Sequence, residues 1–410
     1  MGLESNRSFH LMIKPIGPIC NLNCDYCFYL EKEHLFDHSN KNKFIMDDDT
    51  LRTYIKEYVK AQPPGCKEIT FAWQGGEPTL LHIDFYKKAL EYQQKYIRQG
   101  MTIQNSLQTN GTLINEEWSI FFSKNNFLIG ISVDGPEELH NRYRKNRNME
   151  GSFKQVTGGL ELLKYHNVEF NTLTVVQDNN SRYPEKVYEF LKSIGSKYLQ
   201  FIPIVGVRSV TPEGWGNFMI SVFNQWAKED IGEIFIGHFD MLLGIYMSYP
   251  SSLCVHSETC GDAMALEHNG NVYSCDHFVD EDNELGNLLE TSLAEMVESR
   301  QQRAFGNNKR DNLPEDCINC NYLKLCWGGC PKNRLENVKG EKINYLCKGY
   351  LKFYKYTQPY FTAMAAALKQ GYPASDFRRF LQFKNRPNPG RNDLCLCLSG
   401  RKFKNCCGRQ

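Results

Sequence analysis

All but one of the 16 cysteines in this chain fall into three tight groups, and that grouping constrains the fold more than any other feature of the sequence. Cys20, Cys24 and Cys27 lie near the start, a second group runs from Cys254 to Cys347, and Cys395, Cys397, Cys406 and Cys407 close the sequence. A disulfide framework spreads its bridges over the fold it staples, whereas no cysteine stands between Cys66 and Cys254. Clustered thiols in a reducing compartment more often hold metals or redox centres. The polar first nine residues contain no apolar signal core, and no run of 18 apolar residues occurs, so the chain is expected in the cytoplasm and off the membrane. With 48 Lys plus Arg against 47 Asp plus Glu, no global field argues for nucleic acid as a partner.

At 410 residues, two or three units are expected. Short β-branched or aromatic runs at 9–14, 68–73, 101–108, 127–133, 168–176 and 198–204 alternate with stretches of helical periodicity, such as Leu51, Tyr54, Ile55, Tyr58 and Val59. This alternation predicts a parallel α/β sheet, either an incomplete barrel or an open doubly wound sheet. In both, ligands gather at the carboxyl ends of the strands. After about residue 205 the alternation stops. The segment from Cys254 to Cys347 is expected to take its fold from what its cysteines bind rather than from a large core. A closing helix follows over 350–368, then a linker rich in Pro, Asn and Arg, then a short tail.

The loop CNLNCDYC follows the first predicted strand. Three thiolates at this spacing can wrap one face of a cubane cluster and leave the fourth iron open to a substrate. A zinc knuckle with a distant fourth ligand is the alternative. After the second strand comes WQGGEPTL, whose Gly75 and Gly76 would let backbone approach a ligand and whose Glu77 could accept hydrogen bonds from an ammonium group. At the ends of later strands, Ser132 and Arg144 are candidates for binding a carboxylate, although Arg144 could equally be a solvated charge in a basic run. The middle group, Cys254, Cys260, Cys275, Cys317, Cys320, Cys326, Cys330 and Cys347, supplies two complete four-ligand sites, suited to zinc or to iron–sulfur clusters. Cys66 is read as a loop or small-core thiol.

The CxxxCxxC loop, with Tyr26 before its last cysteine, resembles the radical S-adenosylmethionine (SAM) superfamily, and Gly75, Gly76, Glu77 and Pro78 match that family's GGEP contact to SAM. The fold implied is a partial (β/α)6 TIM-like barrel. The middle cysteines resemble the SPASM domain. That likeness implies two auxiliary [4Fe–4S] clusters, one on Cys254, Cys260, Cys275 and Cys330 and a farther one on Cys317, Cys320, Cys326 and Cys347. Within that group the segments CNLNCDYCFYLEK, FAWQGGEPTLL, LIGISVDGPEELHNRYR, NGNVYSCDHFV and CWGGCPK resemble anaerobic sulfatase-maturating enzymes.

These enzymes oxidise a Cys or Ser in a Cys/Ser-x-Pro-x-Arg segment of a sulfatase to formylglycine. By this resemblance SAM would be cleaved to a 5′-deoxyadenosyl radical that takes a hydrogen atom, and the remaining electron would leave through an auxiliary cluster. Asp276 would be the general base, and Tyr29 and Gln74 would lie near the target residue. Ser132 and Arg144 would meet SAM. An external flavodoxin- or ferredoxin-type donor would supply the electron. His277 stands where the family often has an aromatic residue. The tail, with Cys395, Cys397, Cys406 and Cys407, resembles the SEC-C zinc module, implying one zinc ion and a possible macromolecular contact. The implied division is 8–235 barrel, 236–370 SPASM domain, 371–389 linker and 390–410 tail. Two other readings remain: a SPASM enzyme forming thioether or carbon–carbon crosslinks, and a protein holding zinc for structure alone.

Overall fold

The computed structural model describes residues 4–35, 44–336, 340–381, 390–393, 395, 401–406 and 408–409. Six strands, β1 (His10–Lys14), β2 (Glu68–Trp73), β3 (Thr102–Thr109), β4 (Phe127–Ser132), β5 (Phe170–Val176) and β6 (Tyr198–Pro203), coincide with the predicted runs to within two residues. They lie side by side in sequence order and all parallel. A doubly wound sheet reverses its order at a switch point; this one does not, which settles the choice in favour of the partial barrel.

The sheet extends further than the sequence pattern predicts. The short strand β7 (Phe235–Ile236) joins β6, and β8 (Ala263–Glu267) pairs in parallel with β1, while β9 (Asn271–Tyr273) and β10 (Glu284–Asn287) continue antiparallel beyond it. The result is one open ten-stranded sheet with β10 and β7 at its edges. A division at 235/236 cuts through β7, and the cysteine-rich half contributes strands to the same sheet as the barrel.

The helices form because apolar residues recur at helical spacing and polar caps end them. Asp47 caps α1 (Asp48–Ala61) by accepting from the Thr50 amide, and the apolar face includes Leu51, Tyr54, Ile55, Tyr58 and Val59, all buried. Tyr54, Phe71, Trp73, Tyr86 and Trp118 make a run of edge-to-face contacts between helices and sheet. The closing helix, Cys347–Lys369, packs on the helix Pro212–Gln225 at two facing glycines, where a Cβ on Gly349 would meet the Pro212 carbonyl oxygen at 2.1 Å.

The expectation that 254–347 lacks a large core is not met. Leu266, Val272, Leu288, Leu293, Met296, Val297 and Leu346 are buried in the same hydrophobic cluster as the barrel strands. Their spacing is too irregular to read as a core face, because the elements here are only three to twelve residues long. Cys66 packs partly against this cluster, its thiol donating to the Glu68 carbonyl. Among the described residues no helix is long and apolar enough to cross a membrane.

Candidate active site

The loop from Cys20 to Cys27 lies at the carboxyl end of the sheet and is held by side chains from the ends of other strands. Asn110, after β3, donates from Nδ2 to Asn21 Oδ1 at 2.9 Å and to Cys20 Sγ at 3.7 Å, and Asn21 donates to Thr112 Oγ1 at 2.8 Å. Arg147 reaches the Cys20 carbonyl at 3.1 Å. Tyr26 donates its hydroxyl to Asp134, a fully buried carboxylate after β4 that also accepts from the Val175 amide and pairs with Arg144 Nε at 3.0 Å. Arg144 is therefore a buried partner of Asp134 rather than a solvated charge. Ser132 lies at the end of β4 in the same region, 9% exposed.

Burial pushes the thiols of Cys20 and Cys24 up to about 12, the neighbouring Glu77 adding to the first and Arg144 opposing the second. Such thiols become thiolates only against a metal's positive charge. Three soft sulfurs held together, with N–H donors on Cys20 from Leu22 and Asn110, fit an iron–sulfur cluster.

The GGEP turn departs from expectation. Gly76 and Glu77 donate their amides to the carbonyls of Gly17 and Ile19, at 2.8 and 2.9 Å. A Cβ on Gly76 would lie 2.0 Å from the Ile19 oxygen. The close approach that demands glycine is thus to the chain's own backbone just before Cys20. The Glu77 carboxylate is fully buried and accepts from Thr79, Thr109 and the Asn110 amide, so its side chain braces the loop. Pro78 opens the short helix that follows.

Asp276 comes from the cysteine-rich half. Because β8 pairs with β1, with Glu267 opposite Lys14, the chain beyond β8 returns to the end of β1. There Lys14, only 2% exposed, pairs with Asp276 Oδ1, and its ammonium sits 3.8 Å from the centre of the Tyr29 ring. Tyr29 donates to Glu267 at 2.7 Å, and Lys32 donates to the Asp276 carbonyl at 2.7 Å. Burial by itself would raise the Asp276 carboxyl, but Lys14, His277 and Lys32 outweigh it and hold the group at about 2. Gln74 follows β2, its Nε2 donating to Gln108 Oε1 at 2.6 Å. His277 packs against Phe28, ring centres 5.1 Å apart.

Sequence reasoning missed Lys14, Glu267 and Asp134. Two left a trace: a lysine closing the apolar strand HLMIK and a glutamate closing AMALE.

The eight middle thiols separate into two sets. Burial raises Cys260 to about 11 and Cys275 to about 12, each raised further by Cys330 and Cys254. Burial likewise raises Cys326 to about 12, with Cys347, Cys317 and Cys320 adding to it, and Cys347 to about 11, with Cys317 and Cys320 adding. Cys330, distant in sequence from Cys254, lies beside it. Among the described residues no three Cys, His, Asp or Glu side chains converge tightly enough to hold a single metal ion. In the tail, Cys395 is buried and Cys406 partly so, while Cys397 and Cys407 lie outside the described residues.

The chain matches the model of the radical SAM superfamily over residues 15–191, that of the SPASM iron–sulfur cluster-binding domain over 254–321, and the SEC-C motif over 391–409. It is 42% identical over 395 residues to a serine-type anaerobic sulfatase-maturating enzyme of Bacteroides thetaiotaomicron, covering 90% of this chain and 94% of the relative. A cysteine-type enzyme of Clostridium perfringens is 36% identical over 372 residues, covering 88% and 99%. The solved structure of native anSMEcpe with bound AdoMet and Cp18Cys peptide superimposes with a TM-score of 0.79 at 35% identity, covering 88% of this chain and 99% of that one.

Proposed function

The chain belongs to the anaerobic sulfatase-maturating enzymes, radical SAM proteins with a SPASM domain, and from that premise we propose that it oxidises a Cys or Ser in a Cys/Ser-x-Pro-x-Arg segment of a sulfatase to formylglycine. When bound, SAM on a cluster held by Cys20, Cys24 and Cys27 supplies the 5′-deoxyadenosyl radical chemistry that removes a hydrogen atom from the target carbon. The chain's own residues do the rest. Gly75, Gly76 and Pro78 would shape the turn that meets SAM, with Glu77 bracing it, and Ser132 and Arg144 would bind the cofactor's carboxylate. Tyr29 and Gln74 flank the target residue.

Asp276 takes the thiol or hydroxyl proton, so that Ser gives the aldehyde directly and Cys gives a thioaldehyde that water converts to the aldehyde with release of hydrogen sulfide. Lys14 keeps that carboxylate ionised and fixes Oδ1, while Oδ2 carries no hydrogen bond among the described residues and is the oxygen that receives the proton. Cys254, Cys260, Cys275 and Cys330 hold one auxiliary [4Fe–4S] cluster, and Cys317, Cys320, Cys326 and Cys347 hold a second. The tail cysteines hold one zinc ion and serve a macromolecular contact, and a flavodoxin- or ferredoxin-type protein supplies the electron.

The observation that carries this reading is the meeting of Asp276, from the SPASM half, with Lys14 at the end of β1, on the face that bears the three-cysteine loop. The test is mass spectrometry of Cys-x-Pro-x-Arg and Ser-x-Pro-x-Arg peptides after anaerobic incubation with SAM and a reductant. A loss of about 18 mass units from the Cys peptide, or about 2 from the Ser peptide, is expected. Asp276→Asn should lower that product about 10²- to 10⁴-fold. Unchanged turnover in the variant would remove Asp276 as the base, and an intramolecular crosslink in place of an aldehyde would overturn the reaction itself.

A further inference from the structure

Among the described residues, two buried cations in the SPASM half have no carboxylate partner. Lys309, in the helix Arg300–Asp311, is 1% exposed, and its ammonium donates only to backbone carbonyls, that of Cys254 at 2.6 Å and that of Ser257. Arg334 is 9% exposed and donates from Nε to the Gly328 carbonyl at 3.1 Å and from Nη2 to the Trp327 carbonyl at 2.9 Å. Among the described residues no Asp or Glu lies within ion-pairing distance of either. A buried charge without a counter-charge is costly, and carbonyl oxygens solvate it without neutralising it.

The geometry puts both cations against the middle cysteines. The Lys309 ammonium is held on the backbone carbonyl of Cys254, and the two carbonyls that hold Arg334, those of Trp327 and Gly328, lie between Cys326 and Cys330. Cys254 and Cys330 belong to one proposed four-thiol set and Cys326 to the other, so Lys309 borders one set and Arg334 sits on the stretch that joins both. The electrostatic influence between each cation and these thiols runs the same way.

Resting on the auxiliary clusters of the proposed function, we infer that Lys309 and Arg334 are the built-in counter-charges of those clusters and raise their reduction potentials, so that each cluster can accept the electron left by substrate oxidation. Removing one hydrogen atom from the target carbon and one proton to Asp276 leaves a single electron to be disposed of. Its acceptor is an auxiliary cluster, whose core passes from the 2+ to the 1+ state. Four thiolates around a 2+ core carry a net charge of about −2, and reduction adds another negative charge. A fixed cation stabilises the reduced form more than the oxidised form, so the potential rises. Lys309 governs the nearer cluster, and Arg334 governs both. Neither touches the target residue; both are positioning residues for charge.

The test is an EPR-monitored redox titration of the anaerobically prepared full chain, following the two signals that do not respond to added SAM. Lys309→Gln keeps a hydrogen-bond donor and loses the charge. At a fixed potential it should lower the reduced-to-oxidised ratio of one signal about tenfold, which is about 59 mV for one electron. Lys309→Arg, which keeps the charge, should stay within about twofold of the parent on the same scale. Arg334→Gln should shift both signals.

Loss of about four iron atoms in Lys309→Gln but not in Lys309→Arg would also support the inference, since only charge separates those two outcomes. Iron loss in both variants, or an unchanged potential in a fully loaded Lys309→Gln protein, would overturn it. A parent protein carrying only one cluster would instead overturn the auxiliary-cluster reading from which the inference starts.

Discussion

The loop that carries Cys20, Cys24 and Cys27 is fixed by polar side chains arriving from the ends of other strands, whereas the eight-thiol half is fixed by apolar packing in the same hydrophobic cluster as the barrel strands. Asn110, Asp134 and Arg147 come from positions some ninety or more residues away to grip a few residues of loop. In the second half, Val272, Leu293, Met296 and Leu346 are buried, and Lys309 and Arg334 bring charge with no carboxylate in ion-pairing distance among the described residues. The difference follows from the chemistry each site must do. Three sulfurs with an exposed corner must be oriented toward a substrate, which calls for directional hydrogen bonds. Sets of four thiols whose proposed task is to accept an electron, with no substrate to bind, can be enclosed.

The sharpest break of this comparison is a pair of ligand replacements. Cys24→Ala should abolish 5′-deoxyadenosine formation and lose about four iron atoms. Cys347→Ala should lose a similar amount of iron yet keep 5′-deoxyadenosine formation within about threefold, because distant sites act independently, while the aldehyde product falls. If Cys347→Ala also abolishes SAM cleavage, the two halves are not separable in the way drawn above.

A smaller effect is expected at the GGEP turn. Gly76→Ala places a methyl group 2.0 Å from the Ile19 oxygen, so the turn or the cysteine loop must move. A displacement of about 1 Å costs about 10²-fold in kcat/KM, measured as SAM cleavage in steady state. Gly65→Ala, with nothing within 4 Å of the added atom, is the control and should be silent.

The strands of the barrel were legible because period and β-branching repeat there, and β2 (Glu68–Trp73) coincides with its predicted run end to end. The three-cysteine loop was legible from its spacing, and the GGEP turn from its place one strand later together with its family resemblance. What was not legible is the return of the chain to β1. Strand β8 is five residues long and buried along most of its length, so it shows no alternation to mark it. Without that pairing, Asp276 is one acid among many, and Lys14 is an unremarkable lysine. The glycines of GGEP show a different limit. Sequence says that something comes close, but only the fold shows that the Ile19 carbonyl is one such neighbour of Gly76. Arg334 was likewise invisible, since its meaning lies in having no carboxylate beside it among the described residues.

The smallest effect separates two buried histidines, one in each half. His140 in the barrel accepts the Asp134 amide on Nδ1 at 3.4 Å and meets Ser152 through Nε2 at 3.0 Å, and burial, with Arg144 adding to it, lowers it to about 3. His238 in the second half packs against Tyr350 and Tyr354, its Nε2 has no hydrogen-bond partner, and burial alone lowers it to about 3. Both folded values lie below the unfolded value of about 6.5, so the unfolded chain binds more protons in between, and stability falls as pH drops from about 6.5 toward 3.

At pH 5 each neutral histidine accounts for about 2 kcal/mol of that loss. His238→Phe should therefore leave stability at pH 7 nearly unchanged and reduce the loss at pH 5 by that amount, read from denaturant midpoints. His140→Phe should already cost about 1–3 kcal/mol at pH 7, because the Asp134 amide loses its acceptor. Equal pH slopes for the parent and His238→Phe would show that acid instability comes from elsewhere. Equal costs at pH 7 would erase the distinction between a half organised by directional bonds and a half organised by packing.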